Sequence, residues 1–104
     1  MKISDIPHIG EVLVEDFLEP LDLSQNALAK AIGVPSNRIN AIARGQRGIT
    51  ADTDLRLAKY FSVSKGFFLK LQTGFELMKA ELEIKDELAK IVPFKRKKTK
   101  KVAM

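Results

Sequence analysis

The stretch from Ser24 to Arg47 combines hydrogen-bonding side chains with positive charge. It contains four basic residues and no acidic one, although the chain as a whole has 13 acidic residues. A surface of this composition suits a polyanion. Asparagine can pair with adenine and arginine with guanine in the DNA major groove, so the same side chains could read a base sequence. The stretch therefore indicates nucleic-acid chemistry.

Two short helices joined by a tight turn are predicted to position these side chains. Ser24 is a suitable N-cap, and the spacing of Leu28 and Ile32 predicts a first helix from Ser24 to Ile32. Gly33 stands where a helix end needs a left-handed residue, and Val34 supplies an apolar contact after it. The pattern is that of a helix followed by a sharp turn.

The second helix of the pair is predicted to begin at Ser36 as its N-cap and to stop at Gly45. Ile39 and Ile42 form its buried side. In a helix-turn-helix the second helix enters the major groove, and residues near its start contact bases. Such a pair also occurs in all-α domains with a merely solvated surface, but the absence of acids favours DNA. The predicted DNA contacts are Gln25, Ser36, Asn37, Arg38, Asn40, Ala41, Arg44, Gln46 and Arg47.

Length and composition indicate one small all-α domain. The 104 residues are 45% hydrophobic and 30% charged, which is typical of a globular chain, and helical spacing recurs through most of it. We predict a compact bundle of five or six helices over residues 1–93. Residues 94–104 carry six basic residues, no acidic one and no periodicity, so they are predicted to form a disordered basic tail.

Several classes of site are excluded or disfavoured by residue usage. The chain has no cysteine, so it can form neither a disulfide nor a thiolate metal site. His8 is the one histidine, and beside Pro7 and Gly10 it is interpreted as a hydrogen-bonded residue before the first helix. We predict no enzyme, no cofactor and no metal. Because no export signal or membrane-spanning run is visible, we predict a cytoplasmic protein without membrane contact.

The first helix is predicted from Gly10 to Glu19, ended by Pro20, with Val12 or Leu13 and Phe17 facing the core. Its other face carries a row of acids that suits either solvent or a basic protein partner. The row is Glu11, Glu15 and Glu19.

Beyond the central pair, Thr50 is predicted to cap a helix from Ala51 to Phe61. That helix is expected to bury Leu55, Ala58 and Phe61. Ser64 is predicted to cap a last, long helix from Lys65, whose apolar stripe contains Phe68, Leu71, Phe75, Met78 and Leu82.

Past Leu82 this apolar stripe changes to a neighbouring row. The helix therefore either turns a second apolar side to view or breaks before a sixth helix, and Pro93 ends helicity in both cases. The long stripe exceeds what a small core needs. We predict that Phe75, Met78 and Leu82 serve a two-fold dimer, with Ile49 as the alternative contact. The second row is Leu77, Ile84, Leu88 and Ile91.

The central residues resemble the XRE (Cro/phage-repressor-like) helix-turn-helix family. The likeness rests on Gln25, Leu28-Ala29, Gly33-Val34, Ile39, Ile42 and Gly45. The segments around Pro7-His8, Phe17-Leu18, Gly48-Ile49-Thr50 and Leu69–Leu77 are similar to the HigA/VapI antitoxin branch.

The resemblance implies a lambda-repressor-like fold and a dimeric repressor that binds its own palindromic operator. It also implies neutralisation of a HigB-type ribonuclease toxin, for which the acidic row Glu11, Glu15 and Glu19 is the predicted binding surface. Two alternatives stay open: a stand-alone XRE-family repressor without a toxin, and a general nucleic-acid binder that depends on the lysine-rich tail.

Overall fold

The computed structural model describes residues 1–95, and that part of the chain is all-α with six helices and no strand. A short 3-10 turn at Ile3–Asp5 precedes them. Helix α1 begins over Ile9–Val12 and continues as a π-helix over Leu13–Leu18. The remaining helices are α2 (Gln25–Ile32), α3 (Ser36–Ala43), α4 (Ala51–Phe61), α5 (Phe67–Glu83) and α6 (Lys85–Lys90). The prediction of an all-α fold with five or six helices is confirmed.

The core lies where α1 to α5 meet. α3 packs on α1 and α2, α4 packs on α2 and α5, and α1 also contacts α5. Complete burial of an aliphatic side chain stabilises the fold by about 1.5–3 kcal/mol, so the fully buried side chains dominate the stability of the fold. The apolar side chains with no exposed area are Leu13, Leu28, Ala29, Ile39, Ile42, Leu57 and Phe68.

The π-helical segment of α1 changes which side chains share a face. Leu13 and Leu18 are both buried at a spacing of five residues, which the wider turn of a π-helix, with its i→i+5 hydrogen bonds, brings closer to one side than an α-helix does. Phe17 is half-buried and lies 4.9 Å from Phe61 and 5.1 Å from Phe68, measured between ring centroids. α1 therefore contributes both aliphatic and aromatic contacts to the core.

The predicted limits of the central helix pair are confirmed except for one cap. Ser24 Oγ accepts a hydrogen bond from Ala27 N at 3.0 Å, and Gly33 has a φ of +73°. The prediction that Ser36 caps α3 is wrong. Pro35 holds the extended N-cap conformation, so Ser36 is already the first helical residue and its hydroxyl makes no cap bond.

The predicted buried face of α4 is also partly wrong. Leu55 is 50% exposed, whereas Thr53, Asp54, Leu57 and Ala58 are buried. The helix is turned because Asp54 has partners inside the fold: its carboxylate accepts from the backbone N–H groups of Gly66 and Phe68, at 2.6 and 2.9 Å.

The same carboxylate replaces the cap predicted for the last helix. Asp54 Oδ1 also accepts from Leu69 N at 3.1 Å, and α5 begins at Phe67 rather than at Lys65. Gly66, with a φ of +85°, takes the N-cap position. Ser64 is not the cap, because the free N–H groups of α5 are satisfied by a residue from another helix.

α5 breaks at Ile84, whose φ of −111° and ψ of 22° lie outside helical geometry, and α6 follows. Of the two predicted alternatives, the break followed by a sixth helix is therefore the correct one. Met78 is 36% exposed at the outer side of α5, while Phe68 is fully buried. The predicted disordered tail spans residues 94–104. Only residues 94 and 95 of it belong to the described part of the chain, and residues 96–104 lie outside that part.

Ile49 lies in the core with 3% of its area exposed, so the prediction that it could serve a dimer contact is wrong. Its backbone is fixed by Gln72 of α5. Ile49 N donates to Gln72 Oε1 at 2.6 Å, and Gln72 Nε2 donates to Ile49 O at 3.0 Å. This pair of hydrogen bonds ties the segment after α3 to α5.

Candidate nucleic-acid interface

The predicted DNA contacts all reach the surface of the α2–α3 unit, but to different extents. Four are half-buried: Gln25, Arg38, Asn40 and Ala41. Five are exposed: Ser36, Asn37, Arg44, Gln46 and Arg47. The exposed group lies at the first turn of α3 and at the loop after it, so α3 offers hydrogen-bonding groups at both ends.

A side-chain bond joins the two helices of the unit. Asn40 Nδ2 donates to Gln25 Oε1 at 2.7 Å. Nδ2 carries two hydrogens, so one remains for a base acceptor, and the amide group of Gln25 remains free to donate to a phosphate. The bond thus fixes the orientation of two amides while leaving each a donor.

The end of α3 carries a second such bond. Arg44 Nε donates to Gln46 Oε1 at 3.2 Å, and Arg44, Gln46 and Arg47 are all exposed. A guanidinium has five donors, so this bond uses one and leaves the others for phosphate oxygens. The loop after α3 is therefore equipped to contact the DNA backbone.

Arg38 does not face freely outward as predicted. Its side chain is 26% exposed, and Nη1 donates to Asp52 Oδ2 at 3.1 Å at the first turn of α4. Arg38 Nε is shielded from solvent and has no hydrogen-bond partner among residues 1–95. The side chain thus lies against α4 rather than along the open face of α3.

Arg56, which is not among the residues predicted from the sequence, supports the turn between α2 and α3. Its Nη1 donates to Ile32 O at 2.8 Å and Gly33 O at 3.3 Å, carbonyls at the end of α2. Its Nε donates to Asp52 Oδ2 at 3.0 Å. The i,i+4 spacing of Asp52 and Arg56 is a sequence signal for their pairing, but nothing local points to the α2 carbonyls.

α1 contacts the end of α3 very closely. Gly10 lies against the backbone carbonyls of Ile42 and Ala43, where an added Cβ would have no space. His8 caps α1, since its Nδ1 accepts from Gly10 N at 3.1 Å. The interpretation of His8 as a hydrogen-bonded residue before the first helix is confirmed.

Two further findings concern the kinds of site that residues 1–95 contain. No group of three or more His, Cys, Asp or Glu side chains in this part is placed to hold a metal ion. No described helix is both long and apolar enough to cross a membrane.

The helix-turn-helix family matches residues 14–68, which include α2, α3 and α4. The chain belongs to this family. Its relatives place it in the HigA/VapI branch of XRE-type proteins, as the sequence resemblance indicated. The family consists of DNA-binding regulators without catalytic activity, in agreement with the prediction that the chain is not an enzyme.

Virulence-associated protein I of Dichelobacter nodosus is 49% identical over 86 residues, covering 83% of this chain and 79% of that protein. The Pseudomonas aeruginosa antitoxin HigA, solved with the higBA promoter, is 38% identical with a TM-score of 0.78 and covers 85% of this chain and 97% of its own. The antitoxin GraA in complex with its operator is 36% identical with a TM-score of 0.79, covering 86% and 92%.

Proposed function

We propose that the chain is an antitoxin that represses its own operon by binding an operator through α3. The observation that carries the proposal is the exposed, acid-free composition of α3 and its following loop, where Arg44 and Arg47 form no ion pair with any residue in 1–95. Support comes from two solved relatives with 36–38% identity whose names include operator or promoter DNA. A repressor acts where the chromosome lies, so we place this chain in the cytoplasm.

In this proposal the first half of α3 reads bases and the flanking residues hold phosphates. Because Arg38 is held by Asp52, base reading falls to Ser36, Asn37, Asn40 and Ala41. An alanine methyl can contact the methyl group of thymine, and the amides can pair with adenine. Phosphate contacts fall to Gln25, Arg44, Gln46 and Arg47.

Asn37→Ala is expected to lower affinity for the operator by about 1–3 kcal/mol and to change affinity for random DNA little, because Asn37 is exposed at the first turn of α3. The measurement is a titration of the protein into two duplexes, one with the DNA sequence upstream of the gene and one with a scrambled sequence. Arg47→Ala is the matched control, which is expected to lower the affinity for both duplexes by the same factor. Equal losses for Asn37→Ala on both duplexes would contradict its role in base reading.

We propose that the chain binds DNA as a dimer joined through α5. One short helix reads few base pairs, and repressors gain affinity by placing two such helices ~34 Å apart on a palindrome. Met78 and Leu82 line an open, mainly apolar groove of about 680 Å³ together with Met1, Leu88, Ala89 and the charged residues Glu81 and Lys85. Phe75 packs partly on the core, so it would join the core to this contact.

A Met78→Glu, Leu82→Glu double variant is expected to sediment as a folded monomer and to bind the operator at least tenfold more weakly, because each charge would be buried at the contact. Phe75 is left intact because it supports the core. Leu55→Glu is the control, since Leu55 is 50% exposed on α4. A double variant that stays dimeric would place the contact elsewhere.

We propose that the toxin contact uses the acidic row of α1. Glu11, Glu15 and Glu19 are all exposed, and α1 packs on α3 and α5 with its other side. A ribonuclease must be basic to hold RNA, so a row of carboxylates complements it. The row and the base-reading side chains lie on different helices, α1 and α3, which in this proposal leaves room for both partners to bind at once.

Reversal of all three glutamates to lysine is expected to weaken binding to a HigB-type toxin by about tenfold or more, with operator binding retained. The toxin is to be taken from the gene beside this one and mixed with the purified variant. Reversal of the exposed acids Glu83, Asp86 and Glu87 is the matched control. If the neighbouring product does not bind the unaltered chain at all, the stand-alone repressor becomes the better description.

A further inference from the structure

Asp52 lies between two arginines that belong to, or support, the DNA-binding unit. Its Oδ2 accepts from Arg38 Nη1 at 3.1 Å and from Arg56 Nε at 3.0 Å. Through Arg38 it contacts the first turn of α3, and through Arg56 it reaches the carbonyls of Ile32 and Gly33 at the end of α2. One carboxylate thus connects both sides of the turn to α4.

The contact between Arg38 and Asp52 reduces the positive charge that α3 presents to DNA in the proposed complex. Arg38 is the third residue of α3, in the part of the helix that approaches DNA in the proposed complex. A free guanidinium there would attract any phosphate, whatever the base sequence. Pairing with Asp52 offsets that charge, while Arg38 Nε is withdrawn from solvent.

We propose that Asp52 withholds Arg38 from the DNA backbone and so limits the part of the DNA affinity that does not depend on base sequence. By doing so it lowers affinity for random DNA and leaves discrimination to the base-reading side chains of α3. The inference rests on the proposed function, since it presupposes DNA binding. It differs from a purely structural role in one respect: removing the Asp52 charge strengthens non-specific binding instead of weakening all binding.

The test replaces Asp52 by an uncharged residue of the same shape. Asp52→Asn removes the carboxylate charge that holds Arg38, and the neutral amide oxygen is a weaker acceptor, so Arg38 becomes available for one additional phosphate contact and the slope of log K against log salt for a scrambled duplex steepens by up to ~0.9. Non-specific affinity rises about five- to tenfold near 0.1 M salt for one such contact, and operator affinity rises by a similar factor, because a phosphate contact forms whatever the base sequence. Fluorescence anisotropy across a salt series measures both quantities.

Two matched variants separate this effect from general charge. Asp86→Asn makes the same charge change at an exposed position on α6, and it leaves the salt slope unaltered. In an Asp52→Asn, Arg38→Gln double variant the steepened slope returns to the wild-type value, because the released guanidinium is absent. Arg38→Gln alone leaves the slope unchanged, since Arg38 makes no phosphate contact while it is paired.

Three results would overturn the inference. The first is an Asp52→Asn slope equal to that of the wild type. The second is an increase that persists in the double variant, and the third is a loss of slope or of operator affinity in Arg38→Gln alone, which would make Arg38 a DNA contact in the native chain. Failure of the wild-type chain to bind either duplex would instead contradict the proposed function itself.

Discussion

Gly10→Ala is expected to destabilise the folded chain by about 3 kcal/mol, because the new methyl group would overlap the backbone of α3. A Cβ at this position would overlap Ile42 O and lie 2.9 Å from Ala43 O. Neither carbonyl can rotate away as a flexible side chain could, so α1 must move relative to the recognition helix. Equilibrium unfolding in urea measures the loss, and operator affinity is expected to fall with it.

Gly74→Ala is the matched control for this prediction. Gly74 lies inside α5, and no atom of the described part of the chain lies within 4 Å of an added Cβ. Alanine should therefore stabilise the chain by about 0.5–1 kcal/mol through its better helix propensity. If the two substitutions changed the free energy of unfolding in the same direction and by similar amounts, the close approach of α1 to α3 would be refuted.

Asp54→Ala is expected to cost about 3 kcal/mol of stability, because it leaves the N–H groups at the start of α5 without an acceptor inside the fold. Asp54 is 1% exposed, and its carboxylate accepts from Gly66, Phe68 and Leu69. Hydrogen bonds to a charged acceptor contribute more than neutral ones, and a buried unsatisfied donor keeps its full desolvation cost. Urea unfolding again measures the change.

Asp54→Asn and Asp86→Ala complete this experiment. The asparagine keeps one oxygen as an acceptor, so its cost should be about half that of alanine. Asp86 is an exposed acid in the first turn of α6, and its replacement should change stability by less than about 0.5 kcal/mol. An Asp54→Ala variant as stable as Asp86→Ala would mean that α5 does not depend on this cap.

The central helix pair could be predicted from the sequence because each of its signals acts over a few residues. Ser24 bonds to an N–H three residues away, and Gly33 ends its helix through its own φ. Ile39 and Ile42 face the core through helical period alone. Such features depend on local geometry, so the sequence of the few residues around them is enough to predict them.

The errors arose where a competing interaction came from a distant part of the chain. Apolar spacing alone made Leu55 a core residue, but the N–H groups of α5 draw Asp54 inward and turn α4 so that Leu55 faces solvent. The same contact replaced Ser64 as a cap. The spacing of Thr53 and Asp54 with Leu57 and Ala58 is the sequence signal for the true buried face of α4. Because Thr53 and Asp54 are polar, that face does not look like a core face from the sequence.

By itself the sequence determined the all-α class, the limits of α2, the end of α3, and the acid-free composition of the surface proposed to bind DNA. Tertiary structure alone decided which of those surface side chains are free. Arg38 is exposed by sequence pattern, yet Asp52, 14 positions away, accepts from it. Ile49 is fixed by Gln72, 23 positions away. Helical period predicts the direction of a side chain from its own helix, but hydrogen-bond partners depend on how separate helices pack, which no local pattern contains.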